Sequence, residues 1–421
     1  MGAGTLERMI TIGNETIYGK PYQVDPARHL TVIGGSGMGK STLLEHIFLN
    51  FIRQGHGGLF IDPHGDTADR LLLLLPKSRM RDLIWFDPDA HSVPPFNPLC
   101  FIDPEQLELA KETCLTILKA LAGSETAWGN ETPYNIRNDL DAVVENVANP
   151  TLIHVFRFLT DEEYRKSLLN ASQNPFVRLF QKGFDKLRGT DQAAKFAPAI
   201  NKLAKLMRPN ILPIIGQPQS LDPLEIMNGK KIMICRFSKG RLGDETAMIL
   251  YSLIVSIFSI AALKRERQEK RPPFMIVADE AQNAVHGGRF GTLLAEARKY
   301  GISLVTAFQG GYQVPFIKDV LSNSNTQIIF NSSGEDATMM AENWNEQNVT
   351  ATGITSNLPR FEFYSRTFTD NFPEVKIVKA PPQLKPRRKS AEKIIQQSFM
   401  RYSTSKKKTN EKINNFLASS A

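Results

Sequence analysis

Cysteine is scarce in this 421-residue chain: Cys100, Cys114 and Cys235 are odd in number and lie in no CxxC or Cys/His spacing. That argues against a disulfide framework and a thiolate metal site, and fits a reducing cytosol. The N-terminus, MGAGTLERMITIG, lacks a basic segment leading into an apolar core, so neither a signal peptide nor an anchor is expected there. No internal repeat is found. Long apolar runs are also scarce. One, Thr246 to Leu263, passes eighteen residues without a charge, which just reaches the length of about 18–20 that spans a bilayer. Ser252, Ser256 and Ser259 make a small-residue stripe along it, and strands are expected on both sides, so a buried helix of an α/β sheet is the better reading. Excess charge is missing from most of the chain. The net charge is +8, and residues Ala380 to Ala421 alone hold ten Lys or Arg against two Asp or Glu. Such a run reads either as a solvated, partly disordered end or as an arm drawn to phosphate backbones.

An apolar fraction of 42% says that the chain folds, and its length implies two packed units plus a tail. Short apolar runs alternate with amphipathic stretches, which predicts a parallel sheet with helices on both faces. Strands are expected at His29 to Ile33, Gly58 to Asp62, Asp82 to Phe86, Lys231 to Phe237, Phe274 to Asp279, Ser303 to Phe308 and Thr326 to Phe330. Helices are expected at Lys40 to Arg53, Asp66 to Leu75, Asp244 to Gln268 and Gly291 to Tyr300. From Asp103 to about Pro209 the strand signal vanishes and Leu107, Ala110, Cys114, Leu118 and Leu121 take up helical spacing. The division expected is a sheet domain over 1–102 and 229–379, an inserted all-α subdomain over 103–228, and the basic tail over 380–421. The insert is divided in charge: Asp103 to Glu163 has twelve acids and four bases, Tyr164 to Arg208 ten bases and two acids. A solvated helix surface explains this, and so does a basic face turned toward nucleic acid.

After the strand HLTVI comes Gly34-Gly35-Ser36-Gly37-Met38-Gly39-Lys40-Ser41-Thr42, followed by the apolar-periodic LLEHIFLNFI. This is GxxxxGK[ST] in strand–loop–helix context, a P-loop. Backbone N–H groups of a glycine loop at a helix N-terminus neutralise triphosphate oxygens. Lys40 supplies a mobile charge for the β- and γ-phosphates, and the Ser41 hydroxyl should ligate Mg²⁺. ATP and Mg²⁺ are thus the expected cofactors. The buried strand FMIVA ends in Asp279-Glu280. Asp279 can hold a magnesium water and Glu280 can polarise the attacking water, a glutamate needed only for hydrolysis. Gln309 ends the strand ISLVTAFQ, where a polar group can sense the γ-phosphate. Arg298, in LLAEARKYG, either points into a neighbouring subunit's ATP or, with Lys299, is a cation favoured at a helix C-terminus.

With the P-loop, IDPHGD, VADEAQ and EARKYG...FQ together, the chain resembles the HerA/FtsK superfamily of DNA motors. It is most similar to type IV secretion coupling ATPases of the TraD/TraG kind, over roughly Gly19 to Ala380. WGNET, NKLAKLM and SKGRLGDETA resemble that family's helical insert and the strand after it. The resemblance implies a RecA-like (ASCE) P-loop NTPase fold. It places the phosphate lysine at Lys40, magnesium residues at Ser41 and Asp279, the catalytic glutamate at Glu280, a trans-acting arginine at Arg298 and a sensor glutamine at Gln309. It also implies a supporting role for Asp62 and His64, although Asp62 could equally cap the next helix and His64 serve a turn. The loop Ser238 to Gly243 is a candidate for DNA or intersubunit contact. The N-terminal membrane helices common in coupling proteins and the sequence-reading C-terminal domain of FtsK-type pumps have no counterpart in the sequence, so a cytoplasmic or mobile-element relative, or one recruited to a membrane by a partner, is expected.

The expected activity is DNA-stimulated ATP hydrolysis in a ring, most simply a hexamer, that moves DNA in conjugation or mobile-element transfer. The alternative is an ATP-dependent adaptor that binds DNA or a relaxase without translocating. A small-molecule kinase would leave the insert and the Asp279-Glu280 pair unexplained.

Overall fold

A computed structural model describes residues 9–100, 107–122, 132–284, 290–346, 348–369 and 372–419. An eleven-stranded sheet, in the order β2-β1-β12-β11-β10-β3-β9-β8-β4-β7-β5, carries the chain. Its strands are β1 (Ile10–Glu15), β2 (Pro21–Val24), β3 (Leu30–Ile33), β4 (Gly57–Asp62), β5 (Leu83–Phe86), β7 (Ile232–Arg236), β8 (Phe274–Ala278), β9 (Ile302–Phe308), β10 (Thr326–Phe330), β11 (Glu362–Phe368) and β12 (Pro373–Lys379). The two-residue β6 (Ser92–Val93) pairs separately with β13 (Thr404–Ser405). The seven expected strands are the seven that run parallel, from β10 to β5. They are buried along nearly their whole length, as strands covered on both faces must be. The four unexpected strands extend one edge in antiparallel pairing. Their alternation of apolar and charged residues, as in PEVKIVK of β12, suits a half-exposed edge.

Helices Lys40–Arg53 and Asp66–Leu74 cover one face and share an apolar cluster with the β1–β2 hairpin. The other face is covered by Asp244–Lys264, in which sixteen of twenty-one residues are buried. The helix Asp244–Arg267 has the length and hydropathy to cross a membrane, but 89% of its apolar window lies inside the protein. It packs on the sheet with one side and on the insert helix Leu107–Ala122 with the other, which explains why it is apolar all round. Within the expected insert, 103–228, lie the helices Leu107–Ala122, Thr132–Asn146, Leu152–Thr160, Glu162–Ala171, Pro175–Asp185, Gly189–Ala204, Leu212–Ile215 and Pro223–Asn228. Its core merges with that of the sheet: Cys114, Leu118 and Leu140 belong to one apolar cluster with Leu253 and Phe274.

The basic C-terminal segment departs from the solvated, partly disordered end that its composition suggests. It folds back as a strap. Ser390 leads into the helix Glu392–Tyr402, which lies on β5, where the Ser398 hydroxyl accepts a hydrogen bond from the Trp85 N–H at 2.8 Å. After β13 the helix Lys406–Ala418 packs on the insert, held by the Arg157 guanidinium, which donates to the Phe416 and Ser419 carbonyls at 2.8 and 2.6 Å. Two causes order it. Ile394, Phe399 and Ile413 bury apolar surface, and some of the positive charge serves structure: Arg388 donates to the Leu72 and Leu75 carbonyls at the end of helix Asp66–Leu74.

Candidate nucleotide site

The P-loop leaves the C-terminal end of the central strand β3 and turns into helix Lys40–Arg53. Gly37 and Gly39 have φ of +72° and +120°, conformations that a side chain rarely allows. The Lys40 ammonium is buried and donates to the Gly34 and Gly35 carbonyls at 2.7 and 2.9 Å. Burial pulls its pKa down while Asp279, Glu280 and Asp336 push it up. Gly34 and Gly35 thus serve the loop through their carbonyls, and Met38 packs on the apolar core. Ser36, Gly37, Gly39, Lys40, Ser41 and Thr42 line a cavity of about 780 Å³, a size that suits a bound small molecule.

Asp279 and Glu280 line the same cavity, at the tip of β8 two strands from β3, with Gln309 at the tip of intervening β9. Burial, with Asp62 and Glu280 as like charges nearby, pushes the Asp279 carboxyl up to about 7. Among the described residues no cluster of three or more His, Cys, Asp or Glu could hold a metal by itself. Mg²⁺ needs no such cluster, because it uses one or two protein oxygens and completes its shell with phosphate oxygens and water. Ser41 and Asp279 fit as those oxygens, and the carboxylate repulsion around Asp279, which Lys40 offsets only in part, is what a divalent cation would remove.

Glu280 adopts φ +51°, a left-handed conformation that is costly for a non-glycine residue. Asn283 fixes the turn by donating from its amide side chain and backbone to the Glu280 carbonyl at 2.8 and 2.9 Å, and the Tyr251 hydroxyl donates to the Asp279 carbonyl at 2.9 Å. The Glu280 carboxylate meets His64 Nε2 at 3.4 Å and accepts from the Gln282 amide at 2.8 Å. The hydrogen bond with His64 holds Glu280 below the usual carboxylate range, and the same bond raises His64. Asp62 does what a helix cap does, accepting from His64 N–H and Ala68 N–H at 2.8 Å each, and its charge also reaches Asp279. Lys239, in the loop Ser238 to Gly243, donates to the Asn283 side chain at 3.2 Å, which sets that loop beside the site.

Arg298 is not brought to this cavity. It precedes β9, whereas Gln309 follows it, and seven residues of strand separate the two ends by about 20 Å. It is exposed and lies near His29 at the opposite end of β3, where burial foremost, and Arg298 also, lower the His29 pKa to about 4.

Several cavity residues carry no sequence motif. Arg360 donates from Nε to the Gly37 carbonyl at 2.8 Å, bracing the crest of the P-loop, and its guanidinium lies 4.9 Å from the Phe361 ring. Phe361 has φ +68°, and Lys379, Ala380, Pro381, Pro382 and Gln383 close the same side. Outside the cavity lining but acting on Lys40 through its charge, Asp336 is fully buried and accepts from the Tyr312 N–H and the Ser332 hydroxyl at 2.8 Å each, tying together the loops after β9 and β10. The only local signal for this group is the Pro-Pro break after β12, which marks a turn.

A parallel sheet whose switch-point loop is a P-loop, with an acidic strand tip facing it, defines an α/β P-loop NTPase fold. Solved structures share this fold over most of the chain. The bacterial conjugative coupling protein TrwBdeltaN70 matches with TM-score 0.67 and 15% identity, covering 92% of this chain and 93% of its own. The plasmid coupling protein TrwB in complex with ADP and Mg²⁺ matches at 0.65 and 16%, over 92% and 94%. VirB4 of Thermoanaerobacter pseudethanolicus matches at 0.61 and 16%, over 89% and 96%. The fold is therefore that of the TrwB-type coupling proteins and of VirB4, as the resemblance to the HerA/FtsK superfamily implies. No protein-family profile matches the sequence, and no curated protein does.

Proposed function

We propose that the chain is a Mg²⁺-dependent ATPase of the conjugative coupling kind that hydrolyses ATP in an oligomeric ring, most simply a hexamer, to move DNA in the cytoplasm. The observation that carries this reading is the meeting of Lys40, Ser41, Asp279, Glu280 and Gln309 around one cavity at the C-terminal ends of the parallel strands. There the loop amides and Lys40 hold the triphosphate, and Ser41 and Asp279 position Mg²⁺. Glu280 orients and deprotonates the attacking water once it leaves His64 and Gln282, and Gln309 reads the γ-phosphate. What favours a ring is that Arg298 lies away from its own cavity and is exposed, as a residue acting on a neighbour's ATP must be. TrwB, solved with ADP and Mg²⁺, lends support to the cofactors.

The test is ATP turnover with and without long DNA across salt. Turnover should rise with DNA at low salt, and the effect should decay steeply as salt displaces phosphate contacts. Equal turnover at low salt with and without DNA would count against a DNA motor. A second reading, an adaptor that recruits a relaxase or other DNA-transfer protein, draws on the exposed Phe176, Leu179 and Tyr134 of the insert. Glu280→Gln separates the two. A motor loses turnover by about 10²–10⁴ and transport with it, whereas an adaptor stays locked with its partner bound.

A further inference from the structure

A second cavity, of about 580 Å³, lies between the insert and the last helix of the strap, far along the chain from the P-loop. Ile153, Pro218 and Ile413 make its lining apolar, and Lys408 and Lys412 stand on the face of helix Lys406–Ala418 that borders it. The two lysines are one turn apart and exposed, and neither has an ion-pair partner among the described residues. No Asp or Glu lines the cavity. His154 adds a donor. Its Nδ1 accepts the Thr151 N–H at 3.2 Å, so the ring proton sits on Nε2, and burial, lowering its pKa to about 4, keeps the ring neutral.

Such a cleft has apolar walls, two unpaired cations and a neutral donor, with no acceptor charge of its own. We infer that it is a docking site for a short acidic segment of a partner protein, with one or two bulky aliphatic or aromatic side chains in the cleft and carboxylates on Lys408 and Lys412. Nucleic acid suits it less well. Sequence-tolerant strand binding uses open aromatic faces, and the one Phe, Tyr or Trp ring here, Phe416, is already engaged by His154 at 4.5 Å and by the Arg157 guanidinium at 4.8 Å. The size is within the ~300–1,000 Å³ of cavities that enclose small ligands, enough for side chains but not for a folded domain.

Fluorescence polarisation on the full chain tests this with labelled pools of short peptides alternating Asp or Glu with Leu, Ile or Phe, beside pools with Lys in the acidic positions. The acidic pool should bind and the lysine pool should not, and a short oligothymidylate should fail to compete. Lys408→Glu with Lys412→Glu, both on the surface and remote from the core, should weaken binding by about tenfold or more. Lys40→Ala should leave peptide binding unchanged, so that a failure of the nucleotide reading does not touch this one. No binding of the acidic pool, indifference to the double charge reversal, or full competition by the oligonucleotide each overturns the inference, the last by assigning the cleft to nucleic acid.

Discussion

Replacing Gly39 by alanine should cost far more nucleotide affinity than replacing Gly37, and the structure says by how much. At Gly37, with φ +72°, an added Cβ meets nothing nearer than an Arg360 nitrogen at 3.8 Å, so only left-handed strain of ~1 kcal/mol applies. At Gly39, with φ +120°, the Cβ would sit 2.9 Å from the Phe361 ring and 3.3 Å from that of Phe330. Strain there is ~2–3 kcal/mol, and moving a ring off its rotamer adds ~1 kcal/mol. The loop escapes by leaving the phosphate-ready shape, and a nucleotide must then restore it at its own expense. Titration with a fluorescent ATP analogue should show Gly37→Ala binding about fivefold more weakly and Gly39→Ala at least about a hundredfold more weakly, at 1.4 kcal/mol per decade. Thermal melts would record any part of the strain that stays in the fold. Near-normal binding by Gly39→Ala with no fall in Tm, or a greater loss for Gly37→Ala, would refute the reasoning.

Arg298→Ala should leave nucleotide affinity unchanged yet lower turnover of the assembled protein by about 10³ or more. Mixing it with Lys40→Ala should restore part of the rate, because the mixed interfaces pair an intact site with an intact arginine; no recovery would deny action in trans. Asp139 lies fully buried in the insert with neither carboxylate oxygen hydrogen-bonded, and burial raises its pKa from 3.8 to about 8. The unfolded chain then gives up this proton first, so stability falls as pH rises from about 4 to about 8 and levels off above. Asp139→Asn should flatten that decline and stabilise the protein by about 2–4 kcal/mol at pH 7, measured by denaturant melts at several pH values; an unchanged slope would exclude Asp139 as its source.

The P-loop and the Asp279-Glu280 tip were legible because each is local: a loop, a strand end and the flanking apolar runs are contiguous in sequence. The seven parallel strands were legible for a related reason, since burial on both faces writes an unbroken apolar run. β11 and β12 were not, because a half-exposed strand such as PEVKIVK carries too many charges to register as such a run. Arg360, Phe361 and Asp336 reach the P-loop only through tertiary packing, and no spacing announces them. Sequence alone does not choose between a turn and a supporting role for His64, because its contact with Glu280 depends on β4 lying beside β8, a pairing that composition does not encode. The strap misled for a different reason: counting charges does not show that Arg388 is bonded to carbonyls at a helix end.

The helix Glu392–Tyr402 has one further consequence, for how this protein can be handled. β5 is the last strand of the sheet on its side, and an open strand rim of Leu-Ile-Trp-Phe is a template on which other chains can add by backbone pairing. The Ser398 hydroxyl, bonded to the Trp85 amide, occupies part of that rim with a group that offers no ladder to extend. Trimming the basic terminus as a dispensable appendage would uncover a sticky margin, and the shortened protein should precipitate or self-associate even in salt high enough to abolish every charge-driven contact.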